Sequence, residues 1–280
     1  MQQVHTISDL RGRLDDIRSR GQRVGMVGTS GLLHSGHLSL IERSAADNDV
    51  TAMYWGGGAS FGWMTSQIAY ERDADRDFAL AENAGLDLIF APSNDELFSR
   101  EPMTAVSLAA MSSGVPYLEE PQHLDLIAMV MSKLWNIFGP CRAYFGEKDW
   151  QQLALFQRLA DDLAWPVEVI GCPTVREIDG LAISSRNERL TADERALAPA
   201  MYQALCACRD VALGGTRKRL ALADLFTDII GDPECIRYFT AVEAATMQPL
   251  EELTDQVRLL ASIELGSVRL LDNVGLDIAP

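Results

Sequence analysis

RVGMVGTSGLLHSGHLSLIERSAADNDVTAMYW, residues 23–55, is the stretch that decides the fold. Arg23-Val24-Gly25-Met26-Val27-Gly28 is a short apolar run of the kind that forms a buried strand. A loop follows at 29–35. Leu38, Leu40, Ile41 and Ala45 then recur at helical spacing, and Val50 to Trp55 is a second apolar run. Strand, helix and strand in this order predict a βαβ unit, in which the helix returns the chain so that the two strands run parallel.

The same alternation extends in both directions. Ile7, Leu10, Leu14 and Ile17 predict an amphipathic helix over 7–20, stopped by Gly21. Downstream, 73–84 reads as a helix, 86–90 as a strand ended by Ala91-Pro92, 124–138 as a helix, 142–145 as a strand, 151–163 as a helix and 167–170 as a strand. This predicts an α/β fold with a Rossmann-like, doubly wound parallel sheet. After Pro173 the pattern changes. One long helix is expected over 192–213 and another over 220–230, then a meander of strands near 236–242, 258–265 and 267–271. The chain is therefore expected to divide near Thr174 into a Rossmann-like domain, 1–174, and a smaller C-terminal α+β lid domain, 175–280.

Composition removes several classes of function. With 48% hydrophobic and 23% charged residues among 280, the chain is an ordinary globular protein and not a disordered one. Forty acidic against 24 basic residues give a formal charge of −16, which repels nucleic acid and anionic lipid unless a basic patch intervenes. The densest cluster, Arg217-Lys218-Arg219, is too short for that role and reads as a helix start. The longest apolar run, Leu126 to Met131, is too short to cross a bilayer. The N-terminal segment, with His5, Asp9, Arg11, Asp15 and Asp16, lacks a signal-peptide layout, so a cytoplasmic location is expected. Five cysteines without a CxxC pair predict reduced, mostly buried thiols and no structural metal site.

Three constellations carry chemistry. His34-Ser35-Gly36-His37 is expected in the loop between the first strand of the βαβ unit and its helix, beyond the carboxyl end of the strand, where helix amides and dipole attract phosphate. Two imidazoles there can bond phosphoryl oxygens and stabilise charge on departing pyrophosphate, and Gly36 lets a ligand approach the backbone. Phe145-Gly146-Glu147-Lys148-Asp149 sits at a later strand exit, where Lys148 can meet phosphate and Asp149 a ribose hydroxyl. Ile183-Ser184-Ser185-Arg186-Asn187 offers two hydroxyls and a guanidinium to a triphosphate, although by itself it reads more readily as a helix-capping loop.

In this order, and together with 29–49, 70–92, 173–187 and 269–273, these segments resemble the pantothenate synthetase (pantoate–β-alanine ligase) family of the HxGH nucleotidylyltransferase superfamily. The resemblance covers nearly the whole chain. It implies an AMP-forming ligase that takes Mg-ATP as co-substrate with no tightly bound cofactor and usually works as a homodimer. A carboxylate would attack the α-phosphate, and an amine would then attack the resulting acyl-adenylate. By position, it implies that His34 and His37 bind phosphate with His37 the proton donor, and that Lys148, Ser184, Ser185 and Arg186 hold the triphosphate. Gly36, Gly146, Asp149, Val175 and Ile183 would line the nucleotide, and Gln152 would hold the hydroxy acid. No protein-bound metal is implied.

The acid pocket departs from the family pattern. Ser30 stands where the family has methionine, Gly57 where it has asparagine, and Ser60 where it has glutamine; Glu120 replaces a cation and Leu126 a glycine. Lost polar groups weaken discrimination strongly. The pocket is therefore expected to be larger unless Tyr54, Trp55 or Trp63 swings in, and an acid other than pantoate is expected, with Ser30, Gly57, Ser60 and Gln152 lining it. Authentic pantothenate synthesis with neutral substitutions is the alternative, and a nucleotidyltransferase that forms no amide is a second. Loss of His37 or Lys148 would mark a non-catalytic paralogue, and both are present.

Overall fold

A computed structural model describes residues 1–57, 73–100, 102–107 and 121–278. They form two compact units. Of the described residues, 1–57, 73–100, 102–107, 121–147 and 155–173 fall in the first, and 148–154 and 174–278 in the second.

The first unit is built on a six-stranded sheet. In chain order its elements are β1 (Gln2–Val4), α1 (Ile7–Ser19), β2 (Val24–Thr29), α2 (Ser35–Asp47), β3 (Val50–Trp55), α3 (Ala74–Asn83), β4 (Leu88–Phe90), α4 (Asn94–Leu97), α5 (Pro121–Phe138), β5 (Cys141–Gly146), α6 (Trp150–Asp162) and β6 (Val167–Cys172). The first turn of α6 clusters with the second unit. Strand order is β1-β4-β3-β2-β5-β6, and every pairing is parallel. The expected α/β alternation is therefore present, with one addition: Gln2–Val4 pairs beside Leu88–Phe90 as an edge strand ahead of the first helix. At three residues, with only Val4 buried, it is too short to leave an alternating pattern.

Helices cover both faces of this sheet because its strands are apolar on both sides. Leu10, Leu14, Trp135, Phe138 and Phe156 form one core with Met26 and Phe90. Leu33, Ile41, Ala81 and Tyr144 form the other with Val27, Met53 and Ile89. Thr6 caps α1 by accepting from the Asp9 amide, and Asp73 caps α3 by accepting from the Arg76 amide.

The second unit packs helices on a three-stranded antiparallel sheet, β7 (Ile236–Glu243), β8 (Gln256–Leu265) and β9 (Val268–Asp277), in that order. The meander is as expected, with its last strand running to Asp277. The single long helix expected over 192–213 is instead two, α7 (Ala192–Leu197) and α8 (Ala200–Leu213). Pro199 between them has no N–H for the helical ladder and is tolerated only at a helix start. Leu205, Cys208 and Phe226 of α8 and α9 (Arg219–Ile230) are buried with Leu259, Ala261 and Val274 of the sheet. Lys218 stands at the N-cap of α9, so the basic triplet does open a helix. All five cysteines are free thiols, but only Cys172 and Cys208 are buried, whereas Cys141, Cys206 and Cys235 are half-buried.

Candidate active site

Strand order reverses direction between β2 and β5, and in open α/β sheets the crevice at such a reversal binds ligands. The turn after β2 carries the two histidines. His34 is the N-cap of α2, in extended conformation, and its Nδ1 accepts from the Gly36 amide at 3.1 Å. A neutral imidazole that accepts at Nδ1 bears its proton on Nε2, leaving that edge to donate elsewhere. His37 is not in a loop, as its motif suggested, but in the first helical turn, its amide bonded to the His34 carbonyl at 2.8 Å. The two rings stack with centroids 4.1 Å apart and planes inclined by 36°. A Cβ on residue 36 would lie 3.0 Å from Nδ1 and Cε1 of His34, so Gly36 gives the imidazole its place over the helix end. The result is two imidazoles at the positive end of a helix dipole, suited to developing negative charge.

A buried carboxylate holds this turn. Asp77 of α3 is fully buried, and its Oδ1 accepts from the Leu33 amide at 2.8 Å. Its Oδ2 accepts from the Leu32 amide at 2.9 Å and from the Trp55 indole N–H at 3.0 Å. Its place beside Ala81 on the buried face of α3 was the available signal: an acid on an apolar helical stripe needs donors, and sequence reasoning passed over it.

The same indole lies beside residue 57, where the loss of a side chain suggested free space. A Cβ there would fall 2.0 to 2.4 Å from Cζ2, Cη2 and Cε2 of Trp55, so the ring fills the space that a side chain on Gly57 would take. Gly57 is buried and Ser30 exposed. Ser60 and Trp63 lie outside the described residues, as does Glu120.

The remaining sequence-picked residues divide between the units. Gly146 ends β5, where a Cβ would meet open space. Lys148, Asp149 and Gln152 belong to the second unit, Lys148 and Asp149 in a 3-10 turn and Gln152 in the first turn of α6. In that unit Val175 and Ile183 meet across a hairpin, the Ile183 amide donating to the Val175 carbonyl at 3.0 Å. Ser184 does cap the following 3-10 turn, accepting from the Arg186 amide at 3.3 Å, and Ser185 begins that turn. Lys148, Ser184 and Arg186 line one small pocket with Asn187, Met201 and Arg269. Its shape is fixed from β9. Arg176 in the hairpin pairs with the buried Asp272 through both carboxylate oxygens at 2.5 and 2.9 Å, and the Asn273 side-chain Nδ2 donates to the Lys148 carbonyl at 2.9 Å. Arg269 and Asn187 are the polar residues of this pocket that sequence reasoning did not select as ligands. Among the described residues, no three His, Cys, Asp or Glu side chains cluster as metal ligands, and no helix is long and apolar enough to cross a membrane.

The sequence profile of the Pantoate-beta-alanine ligase family matches residues 2–275. The chain belongs to this family. It is 43% identical to "Pantothenate synthetase 1" of Frankia alni over 97% of each chain, and 40% identical to "Pantothenate synthetase" of Cereibacter sphaeroides over 97% of this chain and 98% of that one. Pantothenate synthetase from Thermus thermophilus has the same fold, with a TM-score of 0.88 and 36% identity over the whole of both chains. A pantoate-beta-alanine ligase from Francisella tularensis, described as complexed with beta-gamma ATP and beta-alanine, superposes with a TM-score of 0.77 at 25% identity over 98% of this chain and 97% of its own. Family members are ATP-dependent, AMP-forming ligases, so the chain is an enzyme of that type.

Proposed function

We propose that this enzyme joins pantoate to β-alanine with cleavage of ATP to AMP and pyrophosphate. The observation that carries the proposal is the pair of stacked imidazoles at the N-terminus of α2, in a chain matched end to end by relatives named pantothenate synthetase. Nothing in those relatives favours an acid other than pantoate, and Trp55 restores at Gly57 the bulk that the substitution removes.

In the first step a pantoate carboxylate oxygen attacks the α-phosphorus of ATP and the bond to the β-phosphate oxygen breaks, giving the acyl-adenylate and pyrophosphate. His34 and His37 bond the phosphoryl oxygens, and His37 supplies a proton to the departing group. Lys148, Ser184, Ser185 and Arg186 hold the β- and γ-phosphates, while Gly36, Gly146, Asp149, Val175 and Ile183 face the nucleoside. Mg2+ enters with the nucleotide. In the second step the β-alanine nitrogen attacks the acyl carbon, AMP leaves with the acyl-derived oxygen, and the nitrogen loses its extra proton. Gln152, Ser30 and Gly57 line the acid. The active form is a cytoplasmic homodimer.

Steady-state turnover with pantoate, β-alanine and Mg-ATP tests this directly. About one turnover per second or more, with sub-millimolar apparent affinity for pantoate, is expected. Pyrophosphate release with another acid but not with pantoate would return the reading to a divergent substrate. A stable nucleotidyl product without amide would make the protein a transferase.

A further inference from the structure

The turn that carries His34 and His37 is reached through unfavourable backbone. Gly31 has φ +102° and Leu32 φ +56°, and a leucine in the left-handed region is sterically strained. Strain of this kind persists only where the surroundings determine it. Here they are the two oxygens of Asp77, which take the amides of Leu32 and Leu33 at 2.9 and 2.8 Å, immediately before the N-cap histidine. A carboxylate with two amide bonds still has acceptor capacity, and in a fully buried site unused capacity is costly. The third donor is the indole N–H of Trp55, at 3.0 Å from Oδ2.

Trp55 is itself fixed. It ends β3, whose register sets it opposite Thr29, the last residue of β2. Phe78, next to Asp77 in α3, meets its ring edge-on at 5.3 Å between centroids. Gly57 leaves the space into which the six-membered ring extends. The indole therefore has one position, and its donor points at the oxygen that also holds the strained Leu32.

We infer that Trp55 is a positioning residue for the His34-Ser35-Gly36-His37 turn, acting through the Asp77 carboxylate. It does so by fixing the rotamer of Asp77, and with it the two amides that set where α2 begins. Its catalytic consequence rests on the reading above, that the two imidazoles act on the phosphates of ATP. Its structural consequence does not.

Trp55→Phe keeps an aromatic ring and removes the donor. Hydrogen exchange resolved at the Leu32 and Leu33 amides is expected to speed up about tenfold, the usual scale for one hydrogen bond to a charged group, with exchange in β5 and β6 unchanged. In the same variant, kcat for pyrophosphate release from pantoate and Mg-ATP is expected to fall about tenfold, with KM for either substrate within twofold of wild type. Asp77→Asn, which keeps the shape but turns an acceptor into a donor, is expected to exceed both effects. Unchanged exchange at Leu32 and Leu33 in a folded Trp55→Phe protein overturns the inference, as does faster exchange there with kcat intact. A wild-type enzyme that releases no pyrophosphate with pantoate refutes the proposed function instead, and the exchange measurement still decides the role of Trp55.

Discussion

Replacing Gly57 by alanine adds one methyl group to a place already taken. Its Cβ would sit 2.0 Å from Cζ2, 2.3 Å from Cη2 and 2.4 Å from Cε2 of Trp55, all far below van der Waals contact. The outer edge of an aromatic ring could ordinarily rotate aside at little cost. This ring is tethered, because rotation withdraws its N–H from the Asp77 carboxylate and lifts its edge from Phe78. A hydrogen bond to a charged group is worth about 1.5–3 kcal/mol and an aromatic pair about 0.5–1.5 kcal/mol, so Gly57→Ala is expected to destabilise the first unit by about 2–4 kcal/mol. At about 2–4 °C per kcal/mol for a unit of this size, its melting transition should fall by roughly 5–15 °C. Calorimetry on the wild type, Gly57→Ala, Trp55→Ala and the double variant checks it, since alanine at 55 removes the obstacle and the two substitutions should together cost less than their sum. A Gly57→Ala protein melting within 1 °C of wild type, or strictly additive effects, would refute the reasoning.

Three further outcomes are expected. His37→Ala should slow adenylate formation by about 10² to 10³ fold, read as single-turnover pyrophosphate release; near wild-type release by the folded variant removes His37 from the chemistry. Lys148→Ala and Arg186→Ala should each weaken ATP binding or slow adenylation, and unchanged calorimetric affinity together with an unchanged stopped-flow rate in both would dissolve the phosphate clamp. Burial pushes the thiol of Cys172 up to about 11 and that of Cys208 up to about 12. A thiol whose folded pKa is raised holds its full stabilising effect below the unfolded value near 8.5 and loses it as pH rises toward the folded one. Stability should therefore decline between about pH 9 and 12, with a shallower slope in Cys172→Ala and Cys208→Ala; identical slopes would exclude these thiols as the cause.

The parallel sheet was legible because buried strands and amphipathic helices leave different periods, and 23–55 shows both in order. The edge strand Gln2–Val4 was not, since three residues carry no period. The break at Pro199 was missed because the apolar spacing continues on either side of the proline. For the site, HxGH after a strand located the helix terminus, but no pattern shows that Gly36 exists to seat the ring of His34. Asp77 and Trp55 escaped notice for a common reason. Their roles arise from contacts 22 to 45 residues apart, and neither belongs to a local motif. Gly57 shows the same limit in reverse: as a bare substitution it suggests empty space, whereas its neighbour two positions earlier fills it.

The clip between Arg176 and Asp272 has a consequence for how the enzyme is made. The hairpin leading to Ser184 and Arg186 is tied to a residue 96 positions later, and the Lys148 carbonyl to one 125 positions later, both in the last strand. A nascent chain can complete its parallel sheet while these anchors are still inside the ribosome. The residues proposed to hold phosphate are anchored only once β9 has been made, so a chain cut short before β9 lacks both ties.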